Sequence, residues 1–108
     1  MSQKIEKGTV LVPGAVIDYA DGGIVSKEVS HSQAGSITFF AFDEGQGLSE
    51  HSAPFDATVM VIDGEAEIKV GGVPHQVKAG EMIIMPANVP HALHAAKRFK
   101  MILTMIRG

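Results

Sequence analysis

Five histidines, at positions 31, 51, 75, 91 and 94, are the main resource for catalysis or ligation in this chain. Cysteine is absent, which removes disulfides, thiolate nucleophiles and zinc–sulfur sites. Serines occur, but none lies in the Gly-x-Ser-x-Gly elbow that would present a nucleophile. No Gly-x-x-x-x-Gly-Lys loop is present to cradle phosphates, and Gly45-Gln46-Gly47 lacks the third glycine of a dinucleotide fingerprint. What remains is imidazole chemistry: metal ligation, or general acid–base work near neutral pH. His51 and His91 have the more telling surroundings. His51 follows Gly45 by six positions and precedes Pro54 and an apolar run; His91 follows Gly80, Pro86 and Asn88. His94 stands three residues beyond His91, so an extended strand turns it to the opposite face. His75 follows Pro74, and His31 sits in the polar turn Ser30-His31-Ser32; both read as solvated surface.

The elements that hold these residues read as strands. Twelve glycines supply turns at Pro13-Gly14, Asp21-Gly22-Gly23, Asp63-Gly64, Gly71-Gly72 and Ala79-Gly80, among others, with short Val/Ile/Phe/Thr-rich segments between them. Strands are expected at 24–29, 36–42, 57–62, 82–85, 91–95 and 99–106. A hairpin is expected over 65–77, where Ala66-Glu67-Ile68-Lys69-Val70 alternates and Gly71-Gly72 can turn. Pro74 cannot donate to a ladder, which places the return strand at an edge or a bulge. Within the expected strands 57–62 and 99–106, both faces of 58–62 and 101–106 are largely apolar, so both must be covered. No segment holds a sustained helical period.

The chain has 108 residues, the size of one domain, with nothing that reads as a linker or repeat. Residues 1–8 are polar and read as a frayed segment or an added edge strand, and 9–108 as the domain. A formal charge of −3 offers no basic surplus for nucleic acid or an anionic membrane. No apolar run reaches bilayer length and the first residues lack a secretory pattern, so the expected location is the cytoplasm. The apolar share of 45% is more than one small core absorbs, which points to a homodimer.

Gly45, His51 and Gly64, then Gly80, Pro86 and His91, fall in register with the two motifs of the cupin superfamily, which the chain resembles from about 36 to 106. The resemblance implies an all-β, single-domain antiparallel β-barrel of jelly-roll type. It also implies a metal site of three histidines and a glutamate, of which this sequence keeps His51 and His91. The second histidine position falls on Ala53, the glutamate on Ala57, the second motif's glycine on Asn88 and its asparagine on Ala95. Alanine has no lone pair, so a divalent ion (Zn, Fe, Mn or Ni) would be held weakly unless Asp56 or Glu50 turned inward. Phe55, Asp56 and Val59 are the expected ligand-pocket residues beside the histidines. Asp56 has a plainer reading, pinning the Pro54-Phe55 turn through backbone amides. The functional expectation is a small polar ligand in a barrel pocket around His51 and His91, with a weak divalent metal. The alternative is a metal-free sensing or structural dimeric module without catalysis. Whether any reaction occurs, and at which residue, stays open at this level.

Overall fold

The computed structural model describes residues 5–107. Eight strands follow a four-residue helix, α1 (Pro13–Val16): β1 Ile24–Ser32, β2 Gly35–Phe42, β3 Gly47–His51, β4 Ala57–Val70, β5 Val73–Lys78, β6 Met82–Met85, β7 His91–His94 and β8 Phe99–Ile106. All pairings are antiparallel. Strand β4 joins two sheets. Its first half pairs β8 and β6, continuing the order β1-β2-β8-β4; its second half pairs β7 and β5, with β3 beyond β7. The result is an all-β antiparallel barrel, as the resemblance implies.

Asp63-Gly64 was expected to end one strand and begin another. Instead the chain runs unbroken from Ala57 to Val70, with an irregularity between Val61 and Asp63 that bends β4 from one sheet into the next. Gly64 makes the bend possible. Its φ is 73°, and a Cβ there would meet the Arg98 carbonyl oxygen at 2.2 Å. A side chain would be both strained and obstructed.

Between the sheets lies the main core: Phe42, Val59, Val61, Ile68, Leu93, Phe99 and Met101 among others. Phe42 and Phe99 stack with centroids 4.7 Å apart. A second, smaller core lies outside the barrel, where Ile17 covers Phe39 and Ala41 and packs with Val16, Tyr19, Ile62 and Ile102. Residues 13–19 thus form a strap over the outer face. Lys100 Nζ donates to the Gly14 carbonyl at 2.7 Å, and Lys27 Nζ to the Val16 carbonyl at 3.1 Å. The Tyr19 hydroxyl donates to the Asp63 carboxylate, with Arg98 and Lys100 over the tyrosine ring. Burial and that bond push the Tyr19 hydroxyl's pKa well above its ordinary value, so it stays a donor.

Other expectations are met or adjusted at strand ends. Strand β1 runs on to Ser32, so His31 is a strand residue paired with Ser36 and the turn comes after it. Pro74 sits in β5, which among the described residues pairs only β4 and is an edge. Of residues 1–8, positions 5–8 take no strand; 1–4 lie outside the described residues. Among the described residues no helix is long and apolar enough to cross a membrane.

Candidate metal centre

His51 ends β3 and His91 begins β7, and the two are cross-strand partners. How both come to face the same way depends on a register shift. Leu48 pairs with Leu93 and His51 with His91, so three steps on β3 match two on β7. Leu48 packs against the core. In a regular strand, a residue three positions later would face the opposite side. The extra residue restores the phase and turns His51 toward His91. Strand β3 was missing from the sequence expectations because Gly47-Leu48-Ser49-Glu50 has neither β-branched residues nor alternation.

The Nε2 atoms of His51 and His91 stand 3.2 Å apart, with the rings edge to face. Each ring's other nitrogen meets a backbone carbonyl: His51 Nδ1 lies 2.9 Å from the Ser49 oxygen and His91 Nδ1 3.3 Å from the Val89 oxygen. A carbonyl can only accept, so each Nδ1 carries the proton and each Nε2 of the neutral rings presents a lone pair. Two lone pairs facing at this distance repel unless a cation, a proton or a metal ion, lies between them. His91 is 4% exposed and His51 is exposed. Burial and the neighbouring His51 hold the His91 pKa below its ordinary value, with the Val89 bond opposing. Near neutral pH that favours a free Nε2 lone pair over a bound proton.

The loops behind the histidines are tied together. The Asn88 N–H donates to the Ala53 carbonyl at 2.7 Å, and the Ala87 N–H to Asp56 Oδ1 at 2.8 Å. Asp56 therefore pins a loop, but the amide it holds belongs to the facing loop rather than to its own turn. Asn88 takes the left-handed conformation, φ 64°, at the motif's glycine position, as expected for asparagine.

The remaining candidates go elsewhere. Phe55 and Asp56 line a groove of about 460 Å³ with Thr58, Ile84, Ala87, Thr104 and Ile106, and neither histidine lines it. Val59 is wholly buried in the core. Its place follows from the strand alternation that also buries Ala57 and Val61. Glu50 is exposed, as are His31, His75 and His94. Among the described residues no three His, Asp or Glu side chains gather at one point. Ala57 is buried, and its ladder partners are Met85 and Met105. The position of the family's carboxylate is thus flanked by thioether side chains.

A family model described as Cupin domain matches residues 38–107. The chain belongs to the cupin superfamily. A conserved Streptococcus pyogenes protein of unknown function is 34% identical over 99% of this chain and 94% of its own, with a TM-score of 0.93. A cupin 2 conserved barrel domain protein from Leptotrichia buccalis is 41% identical over 87% of this chain, with a TM-score of 0.84; the match spans 46% of that longer protein. A cupin superfamily protein from Desulfitobacterium hafniense has the same fold at 21% identity, TM-score 0.90, covering 100% and 99% of the two chains. No curated protein matches.

Proposed function

We propose that this cupin binds a small polar ligand at the His51–His91 pair, through a divalent metal ion held by the two imidazoles. The observation that carries the reading is the pair of Nε2 lone pairs 3.2 Å apart, each ring oriented by a carbonyl on its Nδ1. Two nitrogens on one tetrahedral ion, each about 2.0–2.1 Å from it, stand roughly 3.3 Å apart, close to the spacing here. The carbonyl partners are the outer-shell contacts that fix a ligating histidine's tautomer.

With Ala53 and Ala57 contributing nothing, the protein supplies two donors. The ion would keep its other positions for water and for oxygen atoms of the ligand. Such a metal, when bound, polarises a ligand carbonyl or acidifies a coordinated water. The chain's own residues orient the imidazoles and, through Asp56 and Asn88, hold the two neighbouring loops in place. Weak, exchangeable binding is the expected behaviour.

The Ala53 and Ala57 substitutions also favour a second reading, a metal-free pocket in which one imidazole binds or moves a proton for the ligand. Calorimetric titration with Zn²⁺, Mn²⁺, Ni²⁺ and anaerobic Fe²⁺ separates the two. Uptake of one ion, abolished by His51→Ala, supports the metal reading. No uptake of any of them removes it and leaves the metal-free pocket. His51 is exposed, so its truncation leaves the core intact.

A further inference from the structure

We propose that the His51–His91 pair, read above as a metal centre, takes copper(I) and completes it with a thioether of Met85 or Met105, an assignment that rests on that reading. Three observations support it. The first is where the methionines lie. Residues 52–56 join His51 to Ala57, and residues 86–90 join Met85 to His91. Both loops close the same end of the barrel, where the Asn88 and Ala87 N–H groups tie one to the other. At that end Ala57 has Met85 and Met105 as its ladder partners on either side. Residues directly opposite on a ladder share a face. Ala57 and Met85 belong to the main core, and Met105 packs against it. His91 shares the inward face of β7 with Leu93 of the same core, and the bulge in β3 turns His51 to it. Histidines on one sheet and methionines on the other thus line the same end of one interior. The unbranched methionine side chain adapts its sulfur to such a gap.

The second is the nitrogen spacing. At a metal–nitrogen distance of about 2.0 Å, nitrogens 3.2 Å apart subtend roughly 105° at the ion. A linear two-coordinate ion would need them about 4 Å apart. The bent arrangement calls for a third donor.

The third is charge. Among the described residues His91 and Lys100 are the buried polar side chains, and Lys100 is turned to the strap, so no carboxylate is buried beside the imidazoles. The cost of burying an ion rises with the square of its charge, so neutral donors favour a monovalent ion over a divalent one. Thioether sulfur is a soft donor that selects Cu(I), and imidazole suits copper as well as zinc. With no cysteine in the chain, no thiolate competes for the ion.

Competition with bicinchoninate under anaerobic, ascorbate-reduced conditions measures Cu(I), and calorimetry measures Zn²⁺. The parent should bind one Cu(I) per chain at least ~100-fold more tightly than Zn²⁺. Met85→Leu/Met105→Leu conserves side-chain volume. It should weaken Cu(I) binding at least ~10-fold and leave Zn²⁺ binding as in the parent. His51→Ala should abolish tight Cu(I) binding, which separates this site from the exposed Met60 and Met82. X-ray absorption of the Cu(I)-loaded parent should show sulfur as well as nitrogen around copper, a readout that needs no variant to fold. Zn²⁺ uptake with no preference for Cu(I), a Cu(I) affinity unmoved by the double variant or by His51→Ala, or copper surrounded by nitrogen without sulfur overturns the copper assignment and leaves the metal reading standing. Uptake of neither ion overturns both. Tight Cu(I) binding that needs the methionines, without Zn²⁺ uptake, upholds the copper assignment and removes the divalent ion.

Discussion

At the scale of single residues, the Nδ1–carbonyl contacts of His51 and His91 decide the chemistry, because they leave both Nε2 atoms as acceptors. Ala53→His would restore a donor at the motif position next to His51. It should tighten Zn²⁺ binding by at least about tenfold, since three protein ligands are the usual minimum of a zinc site; calorimetry of the variant against the parent measures this. Acid should act in the opposite direction. The folded His91 pKa lies below its unfolded value of about 6.5, so the unfolded chain binds more protons between the two. Metal-free stability should therefore be highest above that pH and fall as the pH drops through the folded value. His91→Gln should flatten that fall in a melting series from pH 8 to pH 5. The identities of both histidines were legible in the sequence from their glycine and proline spacing. Their direct contact was not, because it depends on a bulge between Leu48 and His51 that no local propensity signals. Asp56 was legible as a pin, but its partner Ala87 is thirty-one positions away. Val59 illustrates the limit of adjacency as a guide. It stands near His51 in sequence, yet alternation along β4 sends its side chain into the core.

At the scale of elements, β4 positions everything else, pairing with four other strands. The sequence announced it as two strands, since Asp-Gly is a strong turn signal and only the tertiary fold can use it as a bend. Gly64→Ala should cost at least about 2 kcal/mol, combining a left-handed alanine with a Cβ pressed on the Arg98 carbonyl. Urea unfolding should show a lower midpoint with an unchanged slope. Strands β2, β6 and β8 followed readily from their Val/Ile/Phe/Met runs. Strand β3 did not, because its ladder with β7 rather than its composition makes it extended.

At the scale of the whole molecule, the strands 57–62 and 99–106 were expected to be covered on both faces. The barrel interior covers one face. The strap covers part of the other, using Ile17 and two lysine–carbonyl bonds that the sequence did not signal. Met60, Met82, Ile84 and Ile106 stay exposed beyond it. Inside the barrel, Phe99→Ala should cost about 3–5 kcal/mol, because it removes the Phe42 stacking partner from a closed core. That loss should appear in chemical denaturation while the metal affinity of the folded fraction stays near the parent's.

The function proposed for this cupin rests on one pair of atoms, His51 Nε2 and His91 Nε2. The deciding measurement is a calorimetric Zn²⁺ titration of the metal-free protein at pH 7.5, beside His51→Ala. One ion bound per chain in the parent and none in the variant is the expected result. A parent that takes up no ion, or a variant that binds as the parent does, would contradict the assignment of the metal to these two imidazoles.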